Sequence, residues 1–206
     1  MQEKSARRSN AARSKATRGA LIETARRLFV EKGYAETGTP EIVSAAAVTR
    51  GALYHHFTDK AALFQAVIEN EAAAVAAHIE RRTGNPGSVE DAFVSGADAY
   101  FTAMAEPGRA RLLLIDGPAV LGPAAMAEID AVTGGRTLRD GLAYAFAGKP
   151  PTPVEEATLD ALADLLSAAF DRAALSISIG RPPAAYHAAV RHMVSGMIRN
   201  GPPASN

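Results

Sequence analysis

Two short helices joined by a tight turn are predicted by residues 37–64, TGTPEIVSAAAVTRGALYHHFTDKAALF, and this pairing limits the folds open to the chain. Thr39 suits an N-cap position and Pro40 suits the first helical position, so a first helix would run from there to about Ala46. Thr49 can cap a second helix directly after the break. The two helices therefore meet at a sharp corner.

The predicted corner has an apolar inner side and a polar outer side. The inner side can be filled by Ile42, Ala46, Val48, Leu53 and Phe57. The outer set is polar, basic and aromatic, and consists of Thr49, Arg50, Tyr54 and His55. This arrangement is typical of a DNA-binding helix-turn-helix, whose second helix enters the major groove with its N-terminal residues on base edges.

Residues 45–69, AAAVTRGALYHHFTDKAALFQAVIE, resemble the signature of the tetracycline-repressor (TetR) family of bacterial transcriptional regulators. Nearly every signature position is matched, and the main departure is Ala47, where the family usually has glycine at the turn. A left-handed backbone conformation at this alanine would cost roughly 1 kcal/mol. With the preceding helix, the resemblance covers residues 17–69, and the rest of the chain resembles the family only in length and helical pattern.

The resemblance implies a homodimer that binds double-stranded operator DNA. Arg50 and Thr49 would contact base edges, with Arg50 the better guanine reader. Lys60 stands in the first turn of the next helix, where a cation is unfavourable unless an anion lies nearby, and a DNA phosphate would supply that anion. Thr39, Tyr54 and His55 would hold further phosphates and fix the register. The predicted DNA-binding set is Thr39, Thr49, Arg50, Gly51, Tyr54, His55 and Lys60.

Positive charge is concentrated near the N-terminus, although the formal net charge of the chain is zero. Residues 1–60 hold 11 Lys and Arg against 6 Asp and Glu, whereas residues 61–206 hold 11 against 16. The basic part suits a phosphate backbone, with Arg18 placed to reach a phosphate, and the acidic part should point away from DNA.

The absence of cysteine from the sequence fits a reducing cytoplasm and excludes disulfides and thiolate metal sites. The N-terminus lacks the apolar segment of a signal peptide. The longest apolar runs fall far short of the roughly 20 residues that span a bilayer. We therefore expect a cytoplasmic protein with no membrane partner.

An all-α fold in four parts is predicted. Residues 1–16 are polar and basic, and are interpreted as a flexible arm that either orders in the DNA minor groove or stays a solvated tail. Residues 17–62 would form a three-helix DNA-binding domain, residues 63–200 a helical ligand-binding and dimerisation domain, and residues 201–206 a tail. A long helix running to Arg82 would link the two domains.

The second domain carries aromatic and methionine side chains with few polar groups, which would suit an apolar or aromatic small molecule between helices. The predicted ligand-binding set is Phe93, Tyr100, Phe101, Met104, Leu113, Tyr144 and Phe170. The same residues also suit an ordinary core, and the sequence does not separate the two interpretations. The family resemblance implies that a site for an unidentified inducer exists, without saying which residues form it.

Two long helices near the C-terminus, residues 154–179 and 183–200, carry broad apolar stripes. Two such hairpins from two chains can form a four-helix bundle about a two-fold axis. The alternative is a hairpin buried wholly within its own chain. The predicted dimer interface comprises Leu159, Leu162, Leu166, Phe170, Ile177, Tyr186, Val190, Met193 and Met197.

Catalytic signatures are absent from the sequence, which contains no G-x-S-x-G, H-E-x-x-H or G-x-x-x-x-G-K-[ST] motif. The adjacent histidines His55 and His56 would point about 100° apart on a helix, so they cannot chelate one metal ion together. We therefore expect no enzymatic activity, no cofactor and no metal.

These observations lead to the hypothesis of a TetR-like repressor that leaves a palindromic operator when a small, largely apolar inducer binds. The alternative is a helical small-molecule-binding or enzymatic domain whose basic head serves only as a nonspecific DNA tether. Activation of transcription instead of repression also stays open.

Overall fold

The computed structural model describes residues 2–83, 88–146 and 156–200, and within these ranges it contains helices and no strand. The first four helices are α1 (Gln2–Lys32), α2 (Thr39–Ala45), α3 (Arg50–His56) and α4 (Lys60–Thr83). They are followed by α5 (Val89–Met104), α6 (Arg109–Arg111), a π-helical turn (Leu112–Asp116), α7 (Gly117–Leu121), α8 (Pro123–Ala131), α9 (Gly134–Phe146), α10 (Glu156–Ser178) and α11 (Pro183–Asn200). The predicted all-α fold is confirmed. No described helix is both long and apolar enough to cross a membrane.

The N-terminal head, which consists of α1, α2 and α3, closes around a buried apolar centre together with the start of α4. Leu21 and Phe29 of α1 are fully buried. Phe29 packs edge-on against Phe64 of α4, with ring centroids 5.1 Å apart. The inner side of the helix-turn-helix corner is as predicted, with Ile42, Leu53 and Phe57 buried and Ala46 and Val48 half-buried.

The N-terminus of α1 differs from the prediction. The structure continues this helix back to Gln2, where the sequence pattern predicts a flexible arm over residues 1–16. Residues 2–16 contain neither glycine nor proline, and they include four alanines, three arginines and two lysines, which have high helix propensity. In the structure these residues extend α1, and their predicted role in the DNA minor groove stays a prediction. The predicted tail at residues 201–206 lies outside the described residues.

Three helices begin with a side-chain cap, and one of these caps is the predicted Thr49. The side-chain oxygens of Thr49, Asp59 and Ser88 accept backbone hydrogen bonds at 3.1, 2.8 and 3.1 Å, at the starts of α3, α4 and α5 respectively. The cap of α2 differs, because Gly38 holds the N-cap position in an extended conformation and Thr39 is the first helical residue. Glycine and threonine have similar preferences for the N-cap position, so a start of α2 that is shifted by one residue costs little stability.

The segment between α5 and α7 presses against the head. Gly108 has a left-handed backbone with φ of +79°, and a Cβ added there would lie 2.5 Å from both methyl groups of Val30 in α1. Only glycine therefore allows this approach. The next residues form α6 and the π-helical turn.

An ion-pair junction ties α1, α4 and α6 together. Glu71 is 3% exposed and accepts hydrogen bonds from Nε and Nη2 of Arg26 at 2.8 and 3.1 Å and from Nε of Arg109 at 2.8 Å. The two arginines also donate to the carbonyls of Pro107 and Ala103, at 3.3 and 2.6 Å. Burial raises the pKa of Glu71, but the hydrogen bonds from Arg26 and Arg109 outweigh burial and hold that pKa below its ordinary value.

Candidate functional site

The first turn of α3 presents an exposed polar face. The hydroxyl of Thr49 accepts a backbone hydrogen bond at 3.1 Å and so fixes the start of the helix. Arg50 follows as an exposed residue whose guanidinium lies 5.5 Å from the centroid of the Tyr54 ring. Gly51 and His55 are exposed on the same short helix. The start of α3 is therefore fixed by its cap, and it exposes Arg50 to solvent beside the Tyr54 ring.

Tyr54 also joins α3 to the start of α2. A hydrogen bond with Thr39, together with the hydrogen bond and charge of Arg50, lowers the pKa of Tyr54 from its ordinary value. Thr39 is half-buried and Tyr54 is 43% exposed. The structure thus brings Thr39, Arg50 and Tyr54, three of the predicted DNA-binding residues, into direct contact.

The turn between α2 and α3 contains Ala47 in a left-handed conformation with φ of +53°, and no other non-glycine residue in the described part of the chain has a positive φ. This is the conformation for which the family's usual glycine is suited. In an alanine, the Cβ is crowded by its own carbonyl, which costs roughly 1 kcal/mol.

We expect Ala47→Gly to raise the free energy of unfolding by about 0.5–1 kcal/mol, because glycine adopts this conformation without strain. Ala73→Gly is the matched control: Ala73 is exposed within α4, and glycine in a helix interior should lower the free energy of unfolding by about 1 kcal/mol. Denaturant unfolding measures both changes. A loss of stability in both variants would show that the turn is not strained.

Lys60 directs its ammonium into the head. Its Nζ donates hydrogen bonds to the carbonyls of Tyr34 and Thr37 at 2.9 and 3.1 Å and lies 4.1 Å from the centroid of the Tyr34 ring. These carbonyls supply the partners that a cation in the first turn of a helix needs, so a phosphate is not required to explain the lysine. The sequence pattern did not indicate this role, and the expected phosphate contact stays a prediction.

Two cavities lie in the C-terminal half. Cavity A, of about 460 Å³, is lined by residues of α4, α5, the π-helical turn, α8 and α10. Cavity B, of about 300 Å³, is lined by residues of α4, α5, α9 and α10. Both volumes suit a small organic molecule.

The predicted ligand-binding residues are divided between these cavities. Met104 and Leu113 line cavity A, Tyr100 lines both cavities, and cavity B has Phe93, Tyr144 and Phe170. Phe101 is absent from both linings, and instead packs against His187 of α11 with ring centroids 4.7 Å apart. Phe101 follows Tyr100 on a helix, so its side chain points about 100° away from that of Tyr100.

A polar cluster that the sequence did not predict stands where the cavities meet. The hydroxyl of Tyr100 donates to Oδ1 of Asp171 at 2.5 Å. Oδ1 of Asp130 accepts from the backbone nitrogen of Gly135 at 3.1 Å, and its Oδ2 accepts from the hydroxyl of Ser167 at 3.4 Å. Within the described ranges, no group of three or more His, Cys, Asp or Glu is placed to hold a metal ion.

The predicted dimer-interface residues divide into buried and accessible ones in the single chain, and the interface itself stays a prediction. Leu159, Leu166, Phe170 and Val190 are only 7, 4, 8 and 5% exposed in the single chain, so a partner cannot pack against them extensively. Leu162, Ile177, Tyr186 and Met197 are half-buried, and Met193 is 41% exposed. One side of the apolar stripe on α10 and α11 packs into the core of the same chain, and the other side stays accessible. The sequence pattern alone does not show where the two sides divide.

Comparisons with known proteins cover both halves of the chain. Residues 21–67 match the family described as bacterial regulatory proteins, tetR family, and residues 90–200 match the tetracyclin repressor-like C-terminal domain. The chain is 42% identical over 69 residues to the transposon Tn10 TetC protein of Escherichia coli, covering 34% of this chain and 35% of that protein. It is 46% identical over 54 residues to the HTH-type transcriptional regulator TtgR of Pseudomonas putida, covering 26% of each. These alignments span only about a quarter to a third of the relatives.

A solved structure matches over almost the whole length. The crystal structure of a TetR-family transcriptional regulator from Pectobacterium atrosepticum has a TM-score of 0.64 and 27% sequence identity, and the match covers 93% of this chain and 98% of that chain.

Proposed function

Because the chain belongs to the TetR family of bacterial regulatory proteins and is a DNA-binding transcriptional regulator, we propose that it is a cytoplasmic repressor that binds a palindromic operator as a homodimer. A small molecule bound in the C-terminal half would release it from the operator. Regulators of this family are not enzymes. The observation that carries the proposal is the exposed, capped start of α3 with Arg50 beside Tyr54, since a helix start of this kind can reach base edges in the major groove.

The proposed division of labour follows the fold. Residues 17–62 would bind DNA, and residues 63–200 would bind the ligand and the second protomer. The head supports this assignment because its outward residues include Thr49, Arg50 and His55, all exposed. The C-terminal half supports it because both cavities lie there.

Helix α4 is proposed to couple ligand and operator binding. Its last turns line the cavities, with Val75 in cavity A and Ile79 in cavity B. Its first residue, Lys60, is hydrogen-bonded to the loop that leads into α2. A ligand that moves the far end of α4 would therefore shift the head and spoil the spacing of the two recognition helices, which should be one DNA turn, about 34–36 Å. Coupling is reciprocal, so operator DNA should weaken ligand binding by the same factor.

The dimer is proposed to form through the outward sides of α10 and α11. Leu165 of α10 is 68% exposed and Met193 of α11 is 41% exposed. Their neighbours Ala161, Ala188 and Ala189 are also exposed and small enough to let helices approach closely. Four such helices from two chains would form a bundle about a two-fold axis.

We expect Leu165→Asp to convert the dimer to a monomer at micromolar concentration, because a dimer that kept this surface would have to bury two new charges, one from each protomer. Val132→Asp is the matched control, since Val132 is 67% exposed at the end of α8, outside the α10 and α11 surface. Light scattering measures the mass of each variant. A dimer that survives Leu165→Asp, or dissociates equally with Val132→Asp, would mean that the interface lies elsewhere.

Repression is tested with a reporter gene behind a promoter that carries the operator selected by the protein. We expect the protein to lower reporter output, and we expect Arg50→Ala to restore it. Higher output in the presence of the protein would identify an activator instead.

A further inference from the structure

Cavities A and B adjoin along one acidic wall. They share Tyr100, Asp130, Gly134, Ser167 and Asp171. Each cavity is therefore lined by both Asp130 and Asp171. Cavity A is lined by a third carboxylate, Asp164.

The aromatic rings lie on the other walls. Cavity B is lined by Phe93, Tyr100, Tyr144 and Phe170, so a guest there would contact up to four rings. Cavity A adds apolar side chains such as Met104 and Leu113. An aromatic wall attracts a cation through the negative face of each ring and packs equally well against an apolar body.

Basic groups are nearly absent from these linings. Among the described lining residues, cavity B has no lysine, arginine or histidine. Cavity A has one, Arg172, which is exposed, as are Asp130 and Asp164, whereas Asp171 is half-buried. The ionised lining therefore carries more negative than positive charge. An anionic guest would face this charge without a positive partner in cavity B.

The carboxylates are only partly satisfied by the protein. Within the described part of the chain, Asp171 accepts from Tyr100 through Oδ1 alone. Asp130 has one backbone donor at 3.1 Å and a long contact of 3.4 Å with Ser167. Burial, helped by the charge of Asp130 and opposed by the hydrogen bond from Tyr100, raises the pKa of Asp171 to about 6. A half-buried carboxylate of this kind is stabilised in its charged form by a nearby positive charge.

We infer that the ligand of this half is an organic cation with an apolar or aromatic body, whose positive group lies against Asp130 and Asp171 while its body fills the ring-lined part of cavity B. This inference rests on the proposed ligand-responsive function and narrows the class of ligand. A neutral apolar molecule would shield the half-buried Asp171 further from water without supplying a positive partner, which disfavours its charged form.

The test compares two probes of the same shape. Phenyltrimethylammonium is a cation, and tert-butylbenzene is its neutral isostere. Binding of each to the full-length dimer is measured by ligand-observed NMR titration. We expect the cation to bind at least about tenfold more tightly, as expected for charge-assisted and cation–π contacts in a partly desolvated site.

Variants assign the preference to the acidic wall. In Asp171→Asn and in Asp130→Asn the preference for the cation should fall by about tenfold, because each removes one carboxylate. Glu128→Gln is the matched control: Glu128 is exposed on α8, lines neither cavity and carries the same charge. Glu128→Gln should keep the preference. Thermal unfolding checks folding, and Asp171→Asn should melt no lower than the original protein because burial disfavours the charged form.

Equal binding of the two probes, binding of neither probe, or a preference that persists in Asp130→Asn and Asp171→Asn would overturn the inference. Operator binding is measured on the same samples. If the protein binds its operator selectively while the cation shows no preference, the ligand class is wrong and the proposed repressor function stands. If it binds no sequence selectively, the proposed function itself fails.

Discussion

Glu71→Ala is expected to lower the free energy of unfolding by about 3 kcal/mol, the largest effect predicted for a single substitution in this chain. The carboxylate is the shared partner of Arg26 and Arg109, whose side chains are only 24 and 14% exposed. Removing it leaves two arginines close together without their common anion. Partly buried arginines without an anion destabilise the fold. This destabilisation is larger than the net stabilisation that the ion pairs provide when they form from solvated charges.

The matched control for this prediction is Glu69→Ala. Glu69 lies on the same helix two residues earlier, is exposed, and accepts a hydrogen bond at 2.9 Å from Gln65, its only donor among the described residues. Its replacement should change the free energy of unfolding by no more than about 0.5 kcal/mol. Urea unfolding followed by circular dichroism measures both variants. Similar losses at the two positions would mean that the junction adds nothing beyond a surface charge.

The junction also sets a pH dependence. The pKa of Glu71 is lower in the folded protein than its ordinary value because Arg26 and Arg109 donate to it, which outweighs the effect of burial. A carboxylate with a depressed pKa contributes stability above its unfolded pKa of about 4.3, and this contribution is lost as the pH falls through the folded pKa. The difference in stability between the original protein and Glu71→Gln should therefore be constant near neutral pH and shrink below about pH 4.

Arg50→Ala is expected to cost about 1–3 kcal/mol of operator binding and to relax specificity at one base position in each half-site. Arg50 is the first residue of α3, is exposed, and is held beside the Tyr54 ring. A guanidinium in this position can donate two hydrogen bonds to a guanine edge, which alanine cannot replace. Binding to the operator and to variants altered at single bases measures the loss and the specificity together.

Two other arginines provide the contrast. Arg18 of α1 is exposed, with its guanidinium 5.2 Å from the centroid of the Phe57 ring. Arg18→Ala should weaken binding to all DNA sequences about equally and reduce the steepness with which log affinity falls with log salt concentration by about one. Arg81 is exposed near the far end of α4, about 30 Å from Lys60 along the helix, and Arg81→Ala should leave DNA binding unchanged. If Arg18→Ala and Arg50→Ala behaved identically across operator variants, the division into phosphate and base contacts would be wrong.

The helix-turn-helix could be predicted in detail because its signals are local. A capping threonine, a helix start with proline and an inner set of apolar residues all lie within residues 37–64, and short-range capping and periodicity decide such structure. Ala47 is an example, since the departure from glycine pointed to a strained turn and the structure places it at φ of +53°. The resemblance to a family rested on the same local segment.

The polar contacts could not be predicted because they join residues far apart in the sequence. Glu71 stands among apolar positions of α4, and nothing in the pattern indicates that Arg26 and Arg109 meet there. Asp130 and Asp171 belong to α8 and α10 and face shared cavities only after those helices pack. The side of α10 and α11 that faces outward was also missed, because a broad apolar stripe does not show which part its own chain covers.

Selection of bound fragments from random double-stranded DNA by the purified full-length protein, at near-physiological salt, tests sequence-specific recognition most directly. We predict enrichment of a palindrome whose half-sites are about one helical turn apart, as expected for two copies of α3 in successive major grooves. Arg50→Ala should select a motif with less information at one base pair in each half-site. Salt-sensitive binding without an enriched motif, from a protein shown to be folded and dimeric, would contradict an operator-binding repressor and would favour a head that only tethers the chain to DNA.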